Sequence, residues 1–133
     1  MELADQTETV CAFSLNGYKT DAKVVKVYDG DTVHVVFRYF DQYYKWICRI
    51  SHVDTPELRT KDADEKKRGY EARDKLRELI YGKIVQLSCQ EFDKYGRLLV
   101  EIETEGIKVH EWLIQQGHAK PYEGGTKEKW TAP

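Results

Sequence analysis

Residues 24–51, VVKVYDGDTVHVVFRYFDQYYKWICRIS, decide the fold. Hydrophobic, β-branched and aromatic residues fill three runs within this stretch, at 24–28, 32–37 and 43–51. Such runs are typical of β-strands. Asp29 and Gly30 lie between the first two runs, and Asp-Gly indicates a hairpin because a two-residue hairpin turn takes both residues at positive φ. The stretch therefore predicts a three-stranded meander.

The chain after the meander alternates between helices and strands. Residues 54–69 are polar, with Pro56 early and Gly69 late, and predict a loop. Apolar residues at helical spacing in 70–81 predict an amphipathic helix that Gly82 ends. Two strands and a second helix follow, at 83–90, 97–103 and 108–116.

This order predicts an α+β fold that is mainly β. Five short strands in a small domain commonly close into an OB-type barrel, here with two to three helices. A length of 133 residues fits one domain. We expect a flexible N-terminus at 1–8 and a single domain over 9–133.

Composition limits the partners and the compartment. A net charge of −2 argues against a protein that binds nucleic acid through an overall positive charge. A cation bound by carboxylates can nevertheless make the local electrostatic potential positive where a phosphate binds. Of three cysteines, Cys48 and Cys89 lie in strand-like runs and are expected in the core, which suits a reducing compartment. Residues 1–10 lack the features of a secretory signal, and no apolar run approaches the roughly 20 residues of a membrane span. We expect an intracellular protein, or an exported one if a leader has been removed, with no membrane partner.

Two aspartates form the first candidate site. Asp31 starts the second strand and Asp54 follows the third, so adjacent strands place both carboxylates at one barrel end. Two carboxylates with a carbonyl and waters suit a hard cation such as calcium. Each residue also has a simpler interpretation, since Asp31 is a turn residue and Asp54 is a loop or cap residue before Thr-Pro.

Two arginines and a glutamate form the second candidate site. Arg49 interrupts an apolar run, where a charge is costly unless it is paired or faces a site, and its guanidinium matches phosphate geometry. Arg97 begins the fifth strand, and the alternative for it is a surface position or an ion pair. Glu57 can take a proton from water or hold that water, and the alternatives are a helix N-terminal charge or a partner for Arg49.

Other residues offer weaker signals. Tyr95 and Tyr122 stack on bases or pack in the core. The histidines lack metal-ligand spacing and indicate structural or surface roles. Four basic residues of a mixed-charge run form a solvated face or guide a polyanion: Lys61, Lys66, Lys67 and Arg68.

Five segments together resemble the staphylococcal nuclease family. They follow one another in the family order: VYDGDTV (27–33), RISHVDTPE (49–57), a helix containing YEARDKL (70–76), FDKYGRLLVEI (92–102) and VHEWLIQQGHAK (109–120). The resemblance implies a five-stranded OB barrel and a calcium-dependent nuclease. Such an enzyme cleaves the 5′ P–O bond of DNA and RNA with weak sequence specificity and leaves 3′-phosphate ends. We expect it to act as a monomer and to favour single-stranded or locally melted substrates.

The resemblance also implies roles for single residues. One calcium ion would be bound by the carboxylates of Asp31 and Asp54 and by the backbone carbonyl of Thr55. The scissile phosphate would be bound by Arg49 and Arg97. Glu57 would be the general base or the group that positions water. Nucleotide contacts would come from Lys94, Tyr95 and Tyr122.

Two features depart from the family pattern. The connection with RYFDQYY (38–44) looks longer than usual, and the final long helix is absent or reduced to a stub in an irregular stretch at 118–133, where Trp130 would anchor the tail. Two other functions stay open. One is a catalytically weak module of this fold that binds nucleic acid or protein. The other is a plain OB-type single-strand binder, against which the negative net charge speaks.

Overall fold

A computed structural model describes residues 2–123, and the proposed anchor Trp130 lies outside them. The described chain holds a 3-10 turn at Leu3–Asp5, eight strands and two α-helices. The strands are β1 (Lys19–Val27), β2 (Thr32–Tyr39), β3 (Gln42–Ile50), β4 (Val53–Asp54), β5 (Ile84–Phe92), β6 (Leu98–Thr104), β7 (Ile107–Lys108) and β8 (Lys120–Pro121). The helices are α1 (Ala63–Ile80) and α2 (Val109–Gln115).

Five long strands close into a barrel. They follow the order β3-β2-β1-β5-β6 with antiparallel neighbours, and β3 then pairs in parallel with β6. The short β7 continues beyond β6, and β4 pairs with β8 in a separate two-stranded sheet. The predicted five-stranded OB-type barrel with two helices is confirmed.

The barrel interior is the core. Alternate residues of β6 are buried and the others are partly exposed, as expected for strands with one face turned inward. Helix α1 turns a stripe of Gly69, Ala72, Leu76 and Ile80 toward the barrel. Cys48 and Cys89 are free and buried, as predicted, and burial raises the pKa of both thiols. Neither α-helix of residues 2–123 qualifies as a membrane-spanning helix.

The predicted loop at 54–69 is wrong in its second half, because α1 begins at Ala63. Asp62 caps this helix, and its carboxylate accepts hydrogen bonds from the N–H groups of Asp64 and Glu65. Gly69, which indicated a loop in the sequence, lies inside α1 where the helix packs closely against the segment that begins at Pro56. A Cβ there would lie 2.9 Å from the carbonyl oxygen of Pro56.

The predicted positive-φ turn at Asp29 and Gly30 is also wrong. Neither residue has positive φ, and the Asp29 carboxylate closes the turn by accepting from the N–H groups of Asp31 and Thr32, at 3.0 and 2.7 Å. Positive φ occurs instead at Phe40 and Asp41, the two-residue turn between β2 and β3. The RYFDQYY segment therefore lengthens two strands around a tight turn.

The stretch at 118–133 is not wholly irregular. Residues Lys120–Pro121 form β8, which pairs with Val53 and Asp54 of β4. The second helix is one residue shorter at each end than predicted, because Ile107–Lys108 pairs with β6 as β7. The β8 pairing matters for the site, because it brings the end of the described chain against the segment that carries Asp54.

Candidate phosphate-binding site

Barrel closure brings three distant segments together. Strand β3 lies between β2 and β6, so that Arg49 faces Thr32 on one side and Leu99 on the other. Arg97 directly precedes β6. The two arginines are 48 positions apart in the sequence. Both nevertheless lie near one end of the same parallel strand pair.

Arg49 is a buried charge held in place from several directions. It is 7% exposed, and its guanidinium lies 3.4 Å from Asp31 Oδ2. It also donates to the carbonyl oxygens of Ile50 and Val53, at 2.9 and 3.0 Å. A buried cation is tolerated when it is paired and hydrogen-bonded. The strand therefore fixes Arg49 as a preformed donor.

Arg97 is held by Asp93 in the preceding turn. Its Nε donates to Asp93 Oδ2 at 2.8 Å, and the N–H groups of Tyr95 and Arg97 donate to Oδ1, each at 2.9 Å. Burial by itself would raise the pKa of Asp93, but these N–H groups and the guanidinium outweigh it and lower the pKa. Asp93 thus stays ionised and orients Arg97, a role that the sequence did not reveal.

Thr32 joins the two arginines. Its hydroxyl accepts from Arg97 Nη1 at 3.2 Å and donates to Asp31 Oδ1 at 3.3 Å. Asp31 in turn lies beside Arg49. A continuous chain of polar contacts therefore connects Arg49, Asp31, Thr32 and Arg97, and three of these four residues were predicted from the sequence.

The second carboxylate lies on a neighbouring segment. Asp54 is 3% exposed at the end of β4, and Thr55 is buried beside it. Gly30 lies against Thr55 so closely that a Cβ on Gly30 would be 3.0 Å from the Thr55 side chain. Glycine between Asp29 and Asp31 thus allows the turn to approach the segment with Asp54 closely, and a larger residue would push against the Thr55 side chain.

This donor set is compatible with a hard cation. Asp31 and Asp54 are buried carboxylates on neighbouring segments, and carboxylate oxygens are ligands that a hard cation such as calcium prefers. Residues 2–123 contain no group of three or more His, Cys, Asp or Glu side chains arranged for a metal. An ion here would thus depend on two carboxylates completed by carbonyl and water oxygens, as expected for calcium.

Glu57 is placed through its backbone. Its N–H donates to Glu65 Oε2 in the first turn of α1 at 2.9 Å, and the residue is exposed. Its carbonyl lies 3.2 Å from where a Cβ on Gly69 would be. Helix α1, which the sequence predicted only in part, therefore supports the segment that presents Glu57.

A cavity of about 530 Å³ opens next to the arginines. It is lined by both arginines and by all three residues predicted to contact a nucleotide: Arg49, Lys94, Tyr95, Arg97 and Tyr122. The rings lie close to the cations, with Arg49 Cζ 5.6 Å from the Tyr122 ring and Arg97 Cζ 5.7 Å from the Tyr95 ring. Asp31, Asp54 and Glu57 do not line this cavity.

His52 secures Tyr122 beside Arg49. Its carbonyl oxygen accepts from the Tyr122 N–H at 2.9 Å. Its ring bonds Glu101 at 3.1 Å and Glu123 at 2.8 Å. Burial disfavours the charged ring, but these two carboxylates outweigh that effect and raise the pKa of His52. The structural role predicted for this histidine thus includes shaping one wall of the cavity.

Asp29 is the acid that the sequence interpretation missed. Burial and the neighbouring charge of Asp31 raise its pKa to about 7. Asp29 therefore holds a proton at mildly acidic pH while its carboxyl closes the turn. In the sequence, the one indication that Asp29 and Asp31 influence each other was their separation by a single glycine.

We expect Asp29→Asn to stabilise the protein more at pH 8 than at pH 4. Because the folded-state pKa is raised, the stabilisation from protonated Asp29 is complete below the ordinary pKa and is lost as pH rises through about 7. Asparagine keeps the Oδ1 acceptor and cannot ionise. The expected gain at pH 8 is on the order of 1–3 kcal/mol in the free energy of unfolding. It is measured by denaturant-induced unfolding in the presence of a metal chelator.

The matched control is Asp21→Asn, which neutralises an exposed aspartate of β1. The Asp29 assignment is wrong if the two variants gain equally, or if the gain from Asp29→Asn does not depend on pH.

The closed five-stranded barrel with two helices defines an OB-type fold. A sequence model described as staphylococcal nuclease homologue matches residues 47–131. The chain belongs to this family. The match includes the segments of Arg49, Asp54, Glu57 and Arg97, and it begins after Asp31.

Several bacterial relatives carry nuclease names. The chain is 31% identical over 104 residues to an "Uncharacterized endonuclease" of Escherichia coli O157:H7, covering 76% of this chain and 60% of that protein. It is 31% identical over 105 residues to "Endonuclease YncB" of Bacillus subtilis strain 168, covering 74% and 48%. It is 29% identical over 113 residues to the "SPbeta prophage-derived endonuclease YokF" of the same strain, covering 80% and 37%. The chain thus spans 60% or less of the length of these relatives.

Proposed function

We propose that this chain is a calcium-dependent nuclease. It hydrolyses phosphodiester bonds of DNA and RNA as a monomer, with weak sequence specificity and a preference for single-stranded or locally melted substrate. The observation that carries the proposal is the contact chain Arg49–Asp31–Thr32–Arg97, which holds two guanidiniums beside one cavity. The relatives named endonucleases support the same class of reaction.

The arginines supply the phosphate site. Each has some N–H groups committed to the protein, Arg49 to two carbonyls and Arg97 to Asp93 and Thr32. The remaining donors are oriented before substrate arrives. Preorganised cations of this kind stabilise the charge that grows on the phosphoryl oxygens in the transition state.

Asp31, Asp54 and the carbonyl of Thr55 would hold the calcium ion. When bound, the ion polarises a phosphoryl oxygen and neutralises part of its charge. Asp31 has a second task, since it also bonds Thr32 and pairs with Arg49. Its carboxylate therefore links the cation site to the phosphate site.

Glu57 acts on the attacking water. It orients the water or takes its proton as the water oxygen forms a bond to phosphorus. The P–O5′ bond breaks, the 5′ oxygen takes up a proton, and the products are a 3′-phosphate and a 5′-hydroxyl. Tyr95 and Tyr122 offer rings to the neighbouring bases and Lys94 adds a positive charge, which suits binding with little sequence preference.

The experiment is digestion of plasmid DNA and of a labelled single-stranded oligonucleotide, with calcium and with chelator. We expect cutting only with calcium, faster cutting of the single strand, and fragments that accept a 3′ extension only after phosphatase treatment. Binding without any metal-dependent cutting would favour the catalytically weak binding module instead.

A further inference from the structure

A second cavity, of about 710 Å³, lies between helix α1 and the barrel. We call it the basic groove and define it by the six cations that line it: Lys26, Arg59, Lys61, Lys66, Arg73 and Arg77. The described residues that line it include no aspartate, glutamate or histidine. In a chain with net charge −2, this local excess of positive charge calls for an explanation.

Helical spacing builds one wall of the groove. Lys66, Tyr70, Arg73 and Arg77 recur three or four positions apart, so they form one stripe on α1. This stripe runs beside the buried stripe that begins at Gly69. The packing that fixes the helix on the barrel therefore also fixes the orientation of the basic wall.

The opposite walls belong to the segments that carry the candidate site. Residues 26–28 lead into the turn with Asp31, and residues 58–61 directly follow Glu57. The basic groove therefore borders the two segments that carry a candidate cation ligand and the candidate general base. The groove is thus positioned to receive the part of a long substrate that lies outside the site.

Most of the positive charge in the groove is not neutralised by the protein. Within residues 2–123, Arg73 is the one of the six cations that makes an ion pair, with Asp74 at 2.9 Å. Five of the six are exposed, and Arg73 is half-buried. An exposed row of unneutralised cations favours a polyanionic ligand, because each phosphate bound there releases a counterion.

The aromatic residues of the groove lie next to its cations. Arg73 Cζ lies 4.6 Å from the Tyr70 ring, and Lys26 Nζ lies 6.0 Å from the Tyr28 ring. The groove also lacks a carboxylate or imidazole that could activate water, which makes it a place for binding and not for hydrolysis.

We propose that the basic groove binds the sugar–phosphate backbone of the nucleic-acid substrate outside the cleavage site, without reading its sequence. The substrate class comes from the proposed function, and the groove adds a second binding site to it. The groove also gives Lys61 and Lys66 the polyanion-guiding role that the sequence left open.

The test compares two triple variants by fluorescence anisotropy. The groove variant is Arg59→Gln, Lys61→Gln and Lys66→Gln. The control variant is Lys19→Gln, Lys83→Gln and Lys108→Gln, which removes the same charge from exposed positions outside the groove. The probe is a labelled oligothymidylate of about 20 nucleotides in chelator, titrated between roughly 50 and 200 mM salt.

We expect the groove variant to bind about 10-fold or more weakly at low salt, with a salt slope smaller by about 2. The control variant should change binding by less than about twofold. An abasic sugar–phosphate strand should show the same loss. Equal losses in both variants, unchanged binding in the groove variant, or a loss seen only with bases present would each overturn the proposal.

This outcome is separable from that of the proposed function. A wild-type protein that never cuts DNA but shows groove-dependent binding would remove the nuclease proposal and leave the groove intact. An active nuclease whose binding ignores the groove variant would remove the groove proposal alone.

Discussion

Arg97→Ala should lower kcat by about 10²- to 10³-fold, because it removes one preorganised donor from the charge that develops on phosphate. The variant should still fold. The Arg97 side chain is 29% exposed. Without the guanidinium, the Asp93 carboxylate still accepts hydrogen bonds from the backbone N–H groups of residues 95 and 97. Initial rates on single-stranded DNA, together with a thermal melt, measure both effects.

Arg38→Ala is the matched control. It removes an exposed arginine of β2 whose partner is Asp41, away from the cavity. We expect its kcat to stay within about twofold of wild type. An Arg97→Ala enzyme as fast as this control would exclude Arg97 from the phosphate site. Arg97→Lys should remain impaired, because one ammonium cannot replace a planar fork that contacts Asp93 and Thr32 and, as proposed, also binds phosphate.

Arg49 is a less clean target, because its removal also disturbs the fold. Asp31 would keep a buried charge without its guanidinium partner, and the carbonyls of Ile50 and Val53 would lose a donor. Breaking a buried pair in this way costs about 3–5 kcal/mol. A loss of activity in Arg49→Ala could therefore come from a destabilised fold as well as from lost catalysis. Arg97 is for this reason the better residue for the test.

Glu57→Gln should lower kcat by about 10²- to 10⁴-fold with little change in KM. Glutamine has the same shape but cannot accept a proton from water. Because Glu57 is exposed and its backbone N–H still reaches Glu65, the variant should still fold, which a thermal melt checks. The measurement is a full rate-against-substrate curve for both proteins.

Glu78→Gln, on the exposed surface of α1, controls for the loss of one negative charge. Its kcat and KM should match wild type. If Glu57→Gln instead raises KM and leaves kcat alone, Glu57 contributes to substrate binding and the proposed action on water is wrong.

The sequence predicted the barrel well because alternation along strands is a local signal. Runs of β-branched and aromatic residues located β2, β3, β5 and β6 to within two residues, whereas β1 begins five residues earlier than predicted. The first part of α1, residues 63–69, was predicted as a loop because a glycine in the sequence favours the end of a helix when its contacts are unknown. Gly69 is instead explained by the carbonyl of Pro56, which leaves no room for a Cβ.

The site was predicted unevenly for a similar reason. A charge in an apolar run identified Arg49, and motif resemblance supplied Arg97 and Asp31. Thr32, Asp93 and Asp29 gave no comparable signal, because a threonine in a strand and aspartates in turns are common. Thr32 matters because it meets Arg97 across the barrel. Asp93 and Asp29 act on near neighbours, Arg97 and Asp31, and matter because the fold places those neighbours in the site.

By itself, the sequence determined the number and order of the five barrel strands, the apolar core and the residue types of the candidate phosphate and cation site. These follow from periodicity and composition, which act over a few neighbouring residues. Only the tertiary structure decided which charges meet. The parallel pairing of β3 with β6 sets Arg49 beside Arg97, and the docking of α1 assembles the basic groove. Such contacts depend on strand register and helix placement over tens of residues, because a side chain finds its partner only when both backbones are fixed.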